Sequence, residues 1–125
     1  MQKPLAVISL RNIRSNARAL ARAARRPLIA VVKDDAYGHG AERVALEIAD
    51  MVCMFAVATV DEGARLKSAG VGRDVLVLTP LTRDTDALRA GHYGLIVTAA
   101  SFPSLAFCTG LRTHIAVNTG MNRYG

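Results

Sequence analysis

Short aliphatic runs alternate along this chain with segments in which apolar residues return every three or four positions. The runs at 28–32, 53–58, 75–78, 95–98 and 113–117 have the length and Val/Ile content of strands buried on both faces. Between them the period becomes helical. Near 41–50, Val44, Ile48 and Met51 make one apolar stripe; further helices are predicted over 60–69, ended by Gly70, over 84–90, ended by Gly91, and briefly over 101–107. Ahead of these units, 5–10 reads as a strand and about 12–25 as a helix. Repeated strand-then-helix units at a spacing of about twenty residues predict a parallel sheet with helical crossovers. No linker, repeat or low-complexity tract divides the series.

Five such strands fit an open doubly wound sheet or the first five-eighths of a β/α barrel, and periodicity does not separate the two. The absence of a G-x-G-x-x-G or P-loop after the first strand weakens the former.

The 125 residues make one domain's worth of chain, and 51% hydrophobic content is ample for a core. With 5% aromatic residues and no Trp, that core must be built of Ala, Val, Leu and Ile. No apolar run approaches the roughly 18 residues of a membrane span. Lys3 is followed by neither the apolar core nor the cleavage site of a signal peptide, so cytoplasmic residence is expected. Cys53 and Cys108 sit in apolar surroundings without metal or CxxC spacing and read as buried free thiols. No metal site is expected.

A net charge of +6 raises nucleic acid as a partner. Much of that charge is local, however. Arg14, Arg18, Arg22 and Arg25 follow one face of the 12–25 helix, opposite Ile13, Ala17, Leu20, Ala21 and Ala24. With no aromatic interleaved for base stacking, a solvated helix face is the better reading, without nucleic acid or membrane.

The chemistry concentrates where strand 28–32 runs out into Lys33-Asp34-Asp35-Ala36-Tyr37-Gly38-His39-Gly40. A lysine there stands at the C-terminal mouth of an α/β sheet, where these folds keep their reacting groups. The apolar strand behind it partly desolvates the amine, which favours its use as a nucleophile for carbonyls. Tyr37 adds a phenol, while Gly38 and Gly40 leave room for a close ligand and a helix start.

The stretch from Ala30 to Gly40 resembles the pyridoxal-phosphate attachment motif of alanine racemases: a valine pair, lysine, alanine, Asp or Asn, alanine, then Tyr-Gly-His-Gly. Three other segments agree in order. Residues 6–16 resemble the family's opening strand and helix, with Asn16 in the matching place. Residues 55–63 resemble the second barrel strand and the start of its helix. Residues 118–125 resemble the segment carrying a substrate-side arginine.

The resemblance selects the barrel: an α/β, TIM-type fold represented by its N-terminal portion, about five of eight strands. A complete barrel takes about 250 residues, so this chain looks truncated near its fifth strand. Residues 1–125 would be the N-terminal barrel domain, with 1–10 a strand joining the family's separate C-terminal β-domain. By the same resemblance Lys33 carries pyridoxal 5'-phosphate as an aldimine and acts as a base on the substrate α-carbon. Tyr37 binds the cofactor, and Arg123 contacts the carboxylate of a small amino-acid substrate. His39 orders the loop. The second base is a tyrosine from the C-terminal domain of a neighbouring subunit, which implies a homodimer in the complete form.

Two departures stand out. Asp34 replaces the motif's alanine, its carboxylate either facing the lysine or pointing away. Ala116 stands where many members carry a lysine, often carbamylated, that orients the arginine. Two functions are expected: a racemase interconverting L- and D-alanine for peptidoglycan, or serine or another small amino acid, and alternatively a truncated, non-catalytic remnant.

Overall fold

Each β-strand runs parallel to its neighbour, and spatial order follows chain order. In the computed structural model, which describes residues 3–125, β1 (Ile29–Val31), β2 (Met54–Val57) and β3 (Asp74–Val77) form one ladder. Ala30 lies beside Phe55, and Phe55 beside Val75. A second ladder pairs β4 (Val97–Ala99) with β5 (Thr113–Ile115). The two join at Leu76 and Ile96, where Val77 N donates to Ile96 O at 2.8 Å and Ile96 N to Val75 O at 2.9 Å. A doubly wound sheet reverses its strand order at a switch point, and no reversal occurs here. The sequential order is that of a β/α barrel built through its fifth strand.

The helices are α1 (Leu10–Ala24), the single turn α2 (Lys33–Gly38), α3 (Ala41–Ile48), α4 (Val60–Ser68), α5 (Asp84–His92) and α6 (Phe102–Ala106). In β2, β3 and β4 the side chains alternate between two buried environments. Phe55, Val57, Val75, Val77 and Val97 pack with helix residues such as Val44, Ile48, Leu66 and Ala90. On the opposite face Ala56, Leu76 and Ile96 form a row with Met54 and Leu78 beside it, the lining of the barrel interior. Burial on both faces explains why the strands read as unbroken apolar runs rather than alternating ones.

Several expectations are corrected. No strand forms at 5–10: residues 3–9 have no regular structure, Leu10 opens α1, and Leu5 is 86% exposed. A strand persists only where a neighbour satisfies its backbone groups, and this segment has none among the described residues. Met1 and Gln2, at the head of the expected 1–10 strand, lie outside the described residues. Helix α5 runs through Gly91, and Gly94, at φ 63°, makes the turn instead. Gly91 answers to packing, since a Cβ there would stand 3.3 Å from Leu111 Cδ2. Cys53 is exposed rather than buried, because it sits on the bend entering β2; Cys108 is buried, and both are free thiols. Nor is the arginine face of α1 wholly solvated. Arg14 docks α1 onto the chain following α3, with Nη1 and Nη2 donating to Asp50 at 2.8 and 2.6 Å.

Candidate functional site

Strand β1 ends by handing its ladder on. Val32 N donates to Ala56 O at 2.8 Å, so the backbone is fixed up to the residue before Lys33. The chain then turns the wrong way for L-residues. Asp34, Asp35, Ala36 and Tyr37 all lie in the left-handed region, with φ of 52°, 53°, 54° and 56°. Each such residue costs roughly 1–2 kcal/mol, least for Asp, Asn and Gly. A run of four therefore persists only because its surroundings enforce it.

Those surroundings are specific. Ala36 is buried against the core, and its N–H donates to Val32 O at 2.9 Å. His39 Nδ1 donates to Ala36 O at 2.9 Å, which makes it a brace of the turn, as its sequence context implied. Asp35 Oδ1 accepts from Ala41 N at 2.9 Å and caps the start of α3. Gly40, at φ 88°, supplies the reversal between the two, a conformation that favours glycine. Arg65 holds this corner from α4 through Glu42 at 2.7 Å.

Glu62 on α4 is the residue that sequence reading missed. Thr59 and Glu62 form a capping box in which Glu62 Oε2 accepts from Ala58 N at 2.7 Å and Thr59 N at 3.1 Å. Its other oxygen, Oε1, crosses to the β1 side and accepts from Asp34 N at 2.8 Å. The Thr59-x-x-Glu62 spacing announces the box. Nothing in that spacing announces the third bond, made 28 positions away.

Lys33 itself is half-buried, and among the described residues it enters no ion pair. Asp34 is exposed, and among the described residues it forms no ion pair with Lys33. Tyr37 is 59% exposed on the same turn. Arg123 belongs to a different part of the same sheet end. Asn118 Oδ1 accepts from Gly120 N at 3.0 Å and Asn122 N at 3.1 Å, and Asn122 adopts φ 58°. This fold-back brings Arg123 and Tyr124 against the loops after β3 and β4, around a pocket shared with Leu81, Thr82 and Ser101. Lys33 and Tyr37 do not line that pocket. Lys33 and Tyr37 thus share one turn, while Arg123 lines a pocket at the same end of the sheet. Ala116 continues the β5 ladder through its N–H to Ala99 O at 2.8 Å and offers Arg123 no polar partner.

A lysine with no ion pair among the described residues and an exposed phenol share this turn, an amine able to attack a carbonyl carbon and a hydroxyl able to donate to an anionic oxygen. Among the described residues no group of His, Cys, Asp and Glu is placed to hold a metal ion. No helix is long and apolar enough to cross a membrane.

Comparison with known proteins bears on the family and the fold. The alanine racemase N-terminal domain family matches residues 8–125. The alanine racemase of Neisseria gonorrhoeae is 49% identical over 94 residues, covering 74% of this chain and 27% of that protein. That of Nitratidesulfovibrio vulgaris is 36% identical over 131 residues, covering 98% and 35%. The crystal structure of the biosynthetic alanine racemase from Pseudomonas aeruginosa superposes with a TM-score of 0.86 at 28% identity, over 94% of this chain and 35% of that one. The chain spans about a third of the length of these relatives. With 118 of its 125 residues inside the family's match, the chain belongs to the alanine racemase family, as a portion of its N-terminal TIM-type barrel.

Proposed function

We propose that this chain is the cofactor-carrying part of a pyridoxal-phosphate-dependent alanine racemase, interconverting L- and D-alanine and supplying D-alanine for peptidoglycan. The observation that carries the reading is Lys33, half-buried and without a counter-ion, on the left-handed turn that closes β1. When bound, pyridoxal phosphate supplies an electron sink that stabilises negative charge on the substrate α-carbon. The protein's part is to position groups and move a proton. Lys33 Nζ would hold the cofactor at its aldehyde carbon and, once the substrate's amino group had displaced it there, would be free to take a proton from the α-carbon on one face. Tyr37 donates its hydroxyl hydrogen to a phosphate oxygen. Arg123, whose guanidinium stands 5.8 Å over the Tyr124 ring, presents a planar fork suited to the substrate carboxylate. Racemisation also needs a base on the opposite face; in this reading a C-terminal β-domain of a partner subunit provides it, and the enzyme works as a homodimer in the cytoplasm.

The chain has three lysines, Lys3, Lys33 and Lys67, which makes the test direct. Incubation with pyridoxal phosphate followed by borohydride fixes any lysine–cofactor bond as a secondary amine that peptide mass spectrometry locates. Labelling is expected to favour Lys33 over Lys3 and Lys67 by about tenfold, and Lys33→Ala should remove the visible absorbance of the complex. Equal labelling of all three lysines would refute the reading.

A further inference from the structure

We infer that Glu62 is a positioning residue for Lys33, a role that rests on the function proposed above. The turn carrying Lys33 is strained, and its first left-handed residue, Asp34, is held from outside by one side chain. That side chain is Glu62, through the 2.8 Å bond from Asp34 N to Oε1. The Asp34 amide is one peptide bond from the Lys33 α-carbon, so this bond sets the direction in which the Lys33 side chain leaves the backbone. Oε2 meanwhile holds Ala58 N and Thr59 N on the neighbouring loop. One carboxylate therefore takes three backbone donors from the C-terminal ends of two adjacent strands, and ties the lysine's turn to the first turn of α4.

A capping box needs only one of these oxygens. The second spends a charge-assisted hydrogen bond, roughly twice as strong as a neutral one, on a turn in another β/α unit. Position 62 is half-buried, while the bond to Asp34 N lies at the surface and holds against water through the carboxylate's charge. An anchored amine loses less freedom when it reacts, so the tether should act on cofactor capture more than on global stability.

Glu62→Gln separates the two jobs. A glutamine has one acceptor oxygen; pointed at Ala58 and Thr59 it keeps two bonds and turns its NH2 donors toward the Asp34 N–H, which cuts the tether and keeps the cap. Thr59→Ala is the control, removing the hydroxyl that accepts from Glu62 N at 3.3 Å while leaving both carboxylate oxygens in place. Three readouts are compared on the full chain: melting temperature, amide exchange at Asp34, and borohydride-fixed labelling by pyridoxal phosphate at Lys33 relative to Lys3 and Lys67. Glu62→Gln should speed Asp34 exchange at least tenfold and cut the Lys33 preference about tenfold, whereas Thr59→Ala lowers the melting temperature and leaves that preference within twofold. Glu62→Asp, too short to span both loops, should behave like Glu62→Gln and serves if the glutamine variant does not fold. Labelling preference that tracks melting temperature across all three variants would reduce Glu62 to a structural residue and overturn the inference, as would an unchanged preference in Glu62→Gln. A wild-type chain with no preference for Lys33 would overturn the function and this inference together. Wild-type preference that survives tether loss overturns the inference alone.

Discussion

Asp74, at the start of β3, receives two parallel hydrogen bonds from Arg112, just before β5: Nη1 to Oδ2 and Nη2 to Oδ1, both 2.8 Å. The fork reaches across β4, and Arg112 Nη2 also donates to Gly94 O at 3.2 Å. It therefore ties together the two ladders at the end of the sheet opposite Lys33. The Arg112 hydrogen bonds outweigh desolvation and hold the Asp74 carboxyl below its ordinary value. A depressed folded value means that the pair's contribution is complete above the unfolded carboxyl range, about pH 4, and is lost as pH falls through the folded value. Asp74→Asn should accordingly melt below the wild type at pH 7, with the gap closing under about pH 4. A gap that does not shrink at all as pH falls below about 4 would show that the asparagine fails for another reason.

Tyr37→Phe keeps the ring and removes the proposed phosphate donor. Because the side chain is mostly exposed, the fold should be indifferent, with an unchanged melting temperature. Losing one hydrogen bond to a charged group costs about 1.5–3 kcal/mol, so half-saturation by pyridoxal phosphate should rise by at least tenfold. Titration of the visible band checks this, and unaltered affinity would place the phosphate elsewhere.

Asp34→Ala tests why this chain departs from its family's motif. At φ 52° and ψ 53° an Asp is better tolerated than an Ala, since its short polar side chain bonds locally in the left-handed region. The variant should lose about 0.5–1 kcal/mol of stability, read by urea unfolding, while labelling at Lys33 stays the same. An increase in labelling would mean that the Asp34 carboxylate does restrain the amine after all.

The sequence disclosed the elements that are set locally. Strands β2 and β3 carry unbroken apolar runs because both their faces are buried, and α4 shows its end in Gly70. Lys33 stood out because a charged residue ends an apolar strand. What remained hidden depends on contacts between distant residues. The left-handed course of Asp34 to Tyr37 is imposed by Val32, His39 and Glu62, and four non-glycine residues give no local sign of it. Gly91 looked like a helix stop, but its reason is Leu111, twenty positions away. The 5–10 segment has strand composition without a strand partner, and composition cannot supply one. Arg123 was legible as a cation in a turn-rich segment; its place against the loops after β3 and β4 follows only from the path of the chain after β5.

The free strands make the last prediction. Among the described residues β1 pairs only with β2, and β5 only with β4, so each presents one unpaired row of backbone donors and acceptors. Side chains on these strands are also uncovered: Ile29 and Val31 are exposed, and Ile115 is 64% exposed. Neither strand contains a proline or a lysine to discourage pairing. An open edge beside apolar surface is a template for another strand, so the chain should self-associate unless a complementary barrel segment occupies the edges. Its +6 charge opposes this by repulsion between copies. Salt shortens the screening length from about 30 Å at 0.01 M to about 10 Å at 0.1 M, so association should grow as salt is added. Association through the edges should also slow amide exchange at β1 and β5 as protein concentration rises. Sedimentation across salt and concentration, paired with exchange at those strands, distinguishes the outcomes. A monodisperse monomer at 0.1 M salt with both edge strands strongly protected would contradict the prediction.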